Sequence, residues 1–386
     1  MHSFRRAAVT AALALVLPLP IVAAAPAFAA PAAPAAAVSA TPMATLPHPT
    51  GPYAVGRDLL HLVDQHRQDP WVPSAGARQL MVSMYYPARP GSGTPVPYMT
   101  TEEARLLLAW KTPNRVVPPE ALAAVGTWAR ADARPADGRF PLVLLSPGLG
   151  LPRALFTSIA EDLSSHGYVV ALIDHTYESA GVTFPDGHTL ACAICDQPPE
   201  GGVPAIAESR AKDASFVIDQ LTSDRSPWRR ARLIDRHRIG MAGHSIGGDA
   251  AATTMAADTR VRAGVNMDGT FFAPAPTTGL GGRPFLLFGA QHDETDTTWD
   301  DAWTNLDGWK RRLTVAGADH STFSDLPLLA QAVGMPSAPG AIDPTRGLAI
   351  TRTYLGAFFD EQLKGMWEPL FDGPSPEEPE VTVQLP

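Results

Sequence analysis

The segment GHSIG at residues 243–247 contains residue types that can form a covalent catalytic site. A serine with a glycine two positions away on each side fits the tight strand-to-helix turn that exposes a nucleophilic hydroxyl. An apolar run precedes this segment and an alanine-rich stretch follows it, as such a turn requires. A glycine-rich helix start with Ser245 as its N-cap is the alternative. The flanking pattern favours the nucleophile.

A serine hydroxyl is a weak nucleophile until a base accepts its proton. In folds that use this motif, the acid and the histidine follow the serine along the chain, and only His292 and His320 follow Ser245. His320 lies after an apolar run and before the last helical pattern, so it is the expected base. His292 precedes most of the candidate acids and is expected to be a solvated loop residue.

Two aspartates, Asp268 and Asp293, are candidates for the acid that orients the histidine. Asp268 lies between the apolar run 264–267 and two phenylalanines, which favours burial. Asp293 lies in the acidic segment HDETD, which is typical of a solvated loop. A triad acid must be partly buried because it holds the tautomer of the imidazole. The spacing therefore favours Asp268 but leaves Asp293 open.

Short apolar or β-branched runs bounded by Gly, Pro or Asp predict buried strands. They are residues 80–86, 141–145, 168–173, 239–242, 264–267, 284–288 and 312–315. Helical periodicity occurs between and after them, at residues 153–166, 209–221, 248–258 and 350–363. This alternation predicts an α/β fold with a mostly parallel central sheet flanked by helices. Residues 101–134 carry two more helical patterns and are expected to form a cap-like insertion.

The first 29 residues predict a signal peptide. Arg5 and Arg6 supply a positive n-region, a long apolar stretch follows, and Ala27-Phe28-Ala29 fits a cleavage site. Pro18 and Pro20 interrupt the apolar stretch, which argues against a membrane anchor. The chain is therefore expected to be secreted to the extracellular space.

The rest of the chain divides into a short leader and one domain. Residues 30–45 are rich in Ala and Pro and predict a flexible leader. Residues 46–386 are expected to form a single domain. Cys192 and Cys195 are the only cysteines, which excludes a disulfide scaffold and a four-thiolate zinc site. In an exported protein they are expected to form a local disulfide.

Composition excludes other classes of protein. The 30 Lys and Arg residues against 39 Asp and Glu residues give a net charge of −9, and without a long basic run nucleic acid is not an expected partner. A hydrophobic share of 45% with 18% charged residues is too apolar for a disordered chain. Serine hydrolysis needs no metal or cofactor, so we expect neither. We also expect the protein to be a monomer.

Several segments resemble the platelet-activating factor acetylhydrolase family of α/β-hydrolases, which includes plasma and type II enzymes and bacterial lipase-like relatives. The long segment PLVLLSPGLGLPRALFTSIAEDLSSHGYVVALIDH at 141–175 is similar to the family's oxyanion strand, first helix and next strand. GHSIGG matches its nucleophile turn, NMDG its acid loop and GADHSTFSD its histidine loop. The resemblance covers residues 80–365 and implies an α/β-hydrolase fold with Asp268 as the acid.

The resemblance also implies that the backbone N–H groups of Leu149 and Ile246 form the oxyanion hole. An acyl-transfer intermediate carries an alkoxide that needs such preset donors. Relatives often have Ser-His-Gly where this chain has Ser146-Pro147-Gly148. The backbone donor at Leu149 is retained, whereas a histidine side chain is not available at that point.

Together these features predict a secreted serine esterase or lipase. Ser245 would attack the ester, His320 would accept the proton, and Asp268 would orient His320. The expected substrates are lipid or short acyl esters, with transient contact with lipid surfaces. Two alternatives stay open at this point: a serine peptidase or amidase with the same triad, and a hydrolase-fold protein that binds a ligand without turnover.

Overall fold

The computed structural model describes residues 44–291 and 296–386. The predicted signal peptide, nearly all of the predicted leader, and the candidates His292 and Asp293 lie outside the described residues. The described residues belong to one compact unit. None of the helices in these two ranges combines the length and apolar character needed to cross a bilayer.

The described strands form one eleven-stranded sheet and a separate two-stranded sheet. They are β1 (Ala54–Gln68), β2 (Ala77–Ala88), β3 (Thr94–Pro95), β4 (Arg130–Ala131), β5 (Phe140–Ser146), β6 (Val169–His175), β7 (Gly181–Thr183), β8 (Thr189–Ala191), β9 (Ile234–His244), β10 (Val261–Met267), β11 (Phe285–Ala290), β12 (Lys310–Val315) and β13 (Val381–Gln384). The order in the large sheet is β13-β12-β11-β10-β9-β5-β6-β2-β1-β4-β3, and β7 pairs with β8.

Helices lie between these strands along the chain. They are α1 (Thr101–Lys111), α2 (Pro119–Ala123), α3 (Thr157–Ser165), α4 (Gly202–Thr222), α5 (Ile246–Ala257), α6 (Thr297–Asn305), α7 (Leu326–Ala332) and α8 (Pro344–Lys364).

The centre of the large sheet is parallel. Strands β6, β5, β9, β10, β11 and β12 pair in parallel, while β2 is antiparallel to β6 and β13 is antiparallel to β12. Parallel strands present their carboxyl ends at one edge, where ligands bind in open α/β sheets. The predicted α/β-hydrolase fold with a mostly parallel sheet is confirmed.

The two faces of β5 explain why the sheet is covered on both sides. Val143 and Leu145 pack into one apolar cluster with residues of α3 and α8, whereas Leu142 and Leu144 pack into another with residues of α4 and α5. Successive side chains of a strand point to opposite faces, so a continuous apolar run is buried on both. Each such leucine contributes roughly 1.5–3 kcal/mol by leaving water.

The insertion at residues 101–134 is less helical than its pattern predicts. Helix α1 forms with a complete capping box at Thr100 and Glu103, but the second predicted helix is wrong beyond Ala123. The backbone N–H groups of Trp128 and Ala129 instead donate to Glu161 Oε1 of α3, at 2.9 and 2.7 Å. A carboxylate far along the chain thus ends the helical pattern.

Glu161 gives a testable pH dependence of stability. Burial raises the pKa of Glu161 to about 7, against an ordinary value of 4.5 in the unfolded chain. The native state therefore holds this proton more tightly, and the wild type loses stability as pH rises from about 4.5 through about 7. Glu161→Gln keeps the acceptor oxygen without the charge. We expect the free energy of unfolding of Glu161→Gln, relative to that of the wild type, to grow by up to about 3 kcal/mol across that pH window.

Urea unfolding of both proteins at pH 5 and pH 8 measures this difference. Groups that titrate elsewhere in the molecule affect both proteins alike, so the double difference isolates Glu161. An equal free-energy difference at the two pH values would contradict the assignment of a buried, neutralisable carboxyl group.

Candidate active site

Ser245 occupies a strained turn between β9 and α5. Its backbone has φ 58° and ψ −130°, a conformation that costs a non-glycine residue about 1–3 kcal/mol. The Ser245 N–H donates to the carbonyl of Met267 at 2.9 Å, and the Ser245 carbonyl accepts from Gly248 N–H at 2.8 Å. These bonds to the next strand and to α5 hold the turn in place. The sequence motif and its flanking elements predict this geometry.

Close backbone approaches around Ser245 require glycine. A Cβ at Gly243 would lie 2.0 Å from the carbonyl oxygen of Gly247, and a Cβ at Gly247 would lie 2.1 Å from that of Ser146. A Cβ at Gly269 would lie 2.0 Å from the Ser245 carbonyl oxygen. Three segments therefore meet at Ser245 at distances that no side chain allows.

A carboxylate–imidazole pair lies at the same sheet edge. Asp268 follows β10, His320 follows β12, and His320 Nδ1 lies 2.7 Å from Asp268 Oδ2. The Asp268 side chain is 2% exposed, whereas that of His320 is 54% exposed. Asp268 Oδ1 accepts a second bond from the N–H of Ala290 at 2.8 Å. An ionised Asp268 would accept a hydrogen bond from Nδ1–H and leave Nε2 free to act as a base.

Two side chains hold the turn that carries Asp268. Asn266 accepts from the N–H of Gly269 and donates to its carbonyl, both at 2.8 Å. Trp299 of α6 donates its indole N–H to the same carbonyl at 2.7 Å. Asp268 itself has a positive φ of 55°. The turn is therefore fixed from two directions before any substrate arrives.

His244 takes a part in this arrangement that the sequence reasoning missed. Its Nε2 lies 2.6 Å from the backbone carbonyl of His320, and the two rings are 4.5 Å apart. Burial, together with the neighbouring His320, holds the pKa of His244 well below its ordinary value. A neutral His244 that donates from Nε2 ties the histidine loop to the nucleophile strand. The sequence signal that could have indicated this role is the position of His244 directly before Ser245.

The two expected oxyanion donors lie next to Ser245. Within residues 44–291 and 296–386, the N–H groups of Leu149 and Ile246 have no hydrogen-bond acceptor. Ile246 starts α5, whose N-terminal dipole favours negative charge. A Cβ at Gly148 would lie 3.2 Å from Ser245 Cβ, so the loop that carries Leu149 directly adjoins Ser245. Two free donors beside a serine suit a developing oxyanion.

Ser245, Asp268 and His320 line one open cavity of about 620 Å³. Phe272 and Trp299 supply apolar surface, and polar side chains complete the wall: Thr270, Gln291, Asp296, Arg312 and Thr314. The volume lies within the range of small-molecule sites. The structure thus brings together the three residues that the sequence proposed for the chemistry.

A second group of ionisable residues lies away from this cavity. His175, Glu178 and Asp213 place ligand-type atoms within 4.8 Å of one another, and all three are buried. Arg78 donates to both carboxylates, and Arg210 donates to Glu178. These guanidinium groups already supply the positive charge that a cation would bring, so the group is an ion network rather than a metal site.

Cys192 and Cys195 form a disulfide with an S–S distance of 2.11 Å. The bridge closes a short turn, and Ala193 within it donates its N–H to the carbonyl of Tyr177 at 2.9 Å. The turn is thereby attached to the loop that follows β6. It contains none of the cavity-lining residues.

The family model described as "Platelet-activating factor acetylhydrolase, isoform II" matches residues 38–191 and 228–375. A "Probable 1-alkyl-2-acetylglycerophosphocholine esterase" of Arthroderma benhamiae is 32% identical over 372 residues, covering 87% of this chain and 92% of that protein. The "Platelet-activating factor acetylhydrolase" of Gallus gallus is 22% identical, covering 62% of this chain and 67% of its own.

A solved structure adds a close fold match. The ferulic acid esterase from Streptomyces cinnamoneus superposes with a TM-score of 0.80 at 42% identity, covering 89% of this chain and all of that one. These matches cover most of the chain and establish the family. They agree with a sheet edge that presents a serine, an imidazole and a buried carboxylate to one cavity. The chain belongs to the platelet-activating factor acetylhydrolase isoform II family and is a carboxylic ester hydrolase of the α/β-hydrolase fold.

Proposed function

We propose that the protein hydrolyses acyl esters through a Ser245–His320–Asp268 triad. One observation carries this proposal: a buried carboxylate contacts Nδ1 of an exposed imidazole, and that imidazole shares a cavity with a serine held at positive φ. The strained backbone of Ser245 costs stability, and such strain is expected where geometry performs chemistry. Asp293, the alternative acid, lies outside the described residues.

The arrangement supports an acyl-enzyme mechanism. Ser245 Oγ attacks the ester carbonyl while His320 Nε2 accepts its proton, and Asp268 stabilises the imidazolium that forms. The N–H groups of Leu149 and Ile246 bind the oxyanion. His320 then protonates the leaving alcohol. In the second half-reaction His320 accepts a proton from water, which attacks the acyl-enzyme, and returns that proton to Ser245 as the carboxylic acid leaves.

Lipid or short acyl esters are the proposed substrates. The family model and the fungal relative, both named for acetyl-ester hydrolysis, support a short acyl group. Trp110 and Val116 of the insertion are exposed, and a Cβ at Gly150 would collide with the Trp110 ring at 2.2 Å. An exposed aromatic thus lies directly on the oxyanion loop, which favours transient contact with a lipid surface at the mouth of the site.

An aromatic acyl group is the second candidate. Phe272 and Trp299 line the cavity beside Ser245, and the structure that matches at 42% identity is named a ferulic acid esterase. A planar acyl group could stack on these rings, which stabilises such pairs by roughly 0.5–1.5 kcal/mol beyond burial. This candidate uses the same triad and differs only in the acyl pocket.

Export from the cell is part of the proposal. It rests on the signal-peptide features of residues 1–29 and is supported by the Cys192–Cys195 disulfide, since such bonds persist in oxidising compartments. The substrate would then be an extracellular ester.

Substitutions at the proposed triad should separate its members. We expect Ser245→Ala to lower kcat for p-nitrophenyl acetate by about 10⁴-fold or more, and Asp268→Asn by about 10³- to 10⁴-fold, because the wrong tautomer would face Ser245. Asp293→Asn should stay within about threefold of wild type, since the acidic segment HDETD predicts a solvated loop and exposed charges interact weakly. Initial rates on purified proteins of equal thermal stability measure all three.

Two results would contradict the triad. Ester turnover that survives in Ser245→Ala would show that Ser245 is not the nucleophile. A larger loss of activity in Asp293→Asn than in Asp268→Asn would identify Asp293 as the acid. Matched p-nitroanilides test the amidase alternative, which predicts comparable rates on ester and anilide.

The two acyl classes are distinguished by a substrate panel. We expect p-nitrophenyl acetate and a short-chain phosphatidylcholine with a 2-acetyl group to be cleaved with a higher kcat/KM than methyl ferulate. Trp299→Ala should lower kcat/KM for methyl ferulate more than for the acetyl esters, by about 5- to 10-fold if the ring contributes about 1–1.5 kcal/mol. The reverse preference would identify an aromatic-acyl esterase, and an equal loss on all substrates would leave Trp299 as a support for Gly269 alone.

A further inference from the structure

A second set of Ser, His and Asp contacts lies inside the protein. Ser146 Oγ is 3.0 Å from His175 Nε2, and His175 Nδ1 is 2.8 Å from Asp213 Oδ2. Ser146 ends β5, His175 ends β6, and Asp213 lies on α4. These contacts have the connectivity of a catalytic triad, but the three residues are at most 2% exposed.

The ionisation states give these contacts a direction. Burial alone raises the pKa of Asp213, but Arg78 and the hydrogen bond with His175 more than offset this and hold it well below its ordinary value. Burial and the neighbouring Arg210 lower the pKa of His175. A neutral His175 donates a hydrogen bond from Nδ1–H to Asp213, and its Nε2 accepts a hydrogen bond from the Ser146 hydroxyl.

Ser146 cannot act as a nucleophile in this environment. Its hydroxyl donates to His175 and also accepts from Arg210 Nη1 at 3.3 Å. The same Arg210 nitrogen donates to the carbonyl oxygen of Pro147. No substrate carbonyl could reach a hydroxyl that is enclosed and bonded on two sides, so the contacts must have another role.

The contacts converge on the loop that carries the proposed oxyanion donor. Arg210 Nε donates to Glu178 Oε2 at 2.7 Å, and the backbone carbonyl of Glu178 accepts the N–H of Gly150 at 2.7 Å. The loop is thus held at Ser146 and Pro147 on one side and at Gly150 on the other. Leu149 lies between these anchors, with its N–H free.

We propose that the buried Ser146–His175–Asp213 relay, together with Arg210, presets the loop 147–150 so that the Leu149 N–H points at the oxyanion before substrate binds. This inference rests on the proposed function, because it assigns a task within that mechanism. Preset donors avoid reorganisation during the reaction, and a small displacement of such a donor is costly. Because apolar residues could often replace a buried ion network with little change in stability, the role assigned to this one is to fix the geometry of one loop. Ser146, His175 and Arg210 are positioning residues.

Two mild substitutions test the relay. Ser146→Ala removes the hydroxyl, and Arg210→Lys keeps the charge but loses the fork that spans Glu178 and Pro147. We expect kcat for p-nitrophenyl acetate to fall roughly 3- to 10-fold in Ser146→Ala and roughly 10- to 100-fold in Arg210→Lys, with KM within about twofold. Rates are normalised to active sites titrated with a fluorescent p-nitrophenyl phosphonate, which counts only folded, reactive Ser245.

A boronic acid inhibitor supplies a readout that a structural role would not move. Its tetrahedral adduct with a serine places an oxygen in the oxyanion hole. We expect its Ki to rise in each variant by the same factor as kcat/KM falls, since both report binding of the transition-state geometry.

Ser164→Ala is the matched control. Ser164 of α3 is also fully buried, and its hydroxyl has no hydrogen-bond partner among the described residues. The Ser164→Ala substitution should leave kcat and Ki unchanged. Values of kcat within twofold of wild type in both Ser146→Ala and Arg210→Lys, or equal losses in Ser164→Ala, would overturn the inference while leaving the triad intact. Turnover that persists in Ser245→Ala would instead overturn the proposed function.

Discussion

The backbone conformation of Ser245 is the constraint on which the site depends. A backbone φ of 58° is unfavourable for a residue other than glycine, so the surrounding segments must hold Ser245 in this conformation. They do so through backbone contacts that Gly243, Gly247 and Gly269 permit by having no side chain. The carbonyl of Met267 fixes the Ser245 N–H. One strained residue therefore determines how closely β5, β9, β10 and α5 approach one another.

The molecule contains the same triplet of residue types in two settings, and burial decides what each can do. In the cavity, the imidazole of His320 is half exposed and lines the same wall as Ser245, so it is the proposed base. Inside the protein, His175 has both ring nitrogens engaged, by Ser146 and Asp213. The residue types alone do not separate the two sets. Exposure to the cavity makes His320 the candidate base, whereas the enclosed His175 can only hold its neighbours in place.

The sequence predicts those parts of the fold that depend on local pattern. All seven predicted strands are present, because each carries an apolar run: six pair in parallel in the centre of the sheet, and β2 is antiparallel but buried along most of its length. Strand β1 was not predicted, since it is antiparallel, lies near the sheet's edge and has many polar residues on its partly exposed surface. Strand β13 is four residues long and forms only by pairing with β12. Neither has a pattern that local reasoning can recognise.

The candidate site follows the same division. Ser245 and His320 could be found from motif and chain order, whereas spacing alone left Asp268 and Asp293 unresolved. His244 and the buried relay escaped because they depend on contacts between residues far apart in sequence. Arg210 and Ser146, for example, are 64 positions apart. Such contacts are set by how the strands and α4 pack, which no short segment encodes.

Buried carboxylates recur behind the loops of the site, and the chemistry of the backbone explains why. A loop that leaves the sheet and turns inward has N–H groups that need acceptors, and a carboxylate can satisfy several at once. Asp249 of α5 accepts at 3.0 Å from the N–H of Ala273, which follows the cavity residue Phe272. Asp325 accepts from the Tyr98 hydroxyl and from the N–H of Ser158 in α3.

The cost of this solution is visible in the same groups. Burial raises the pKa of Asp249 to about 7 and that of Asp325 to about 6, so each charged carboxylate is less stable in place than in water. Apolar packing would hold a loop without that cost but would not specify the direction of its N–H groups. Hydrogen bonds to carboxylates do specify it. Asp249 and Asp325 therefore lose some stability by burial but give their hydrogen bonds a defined direction.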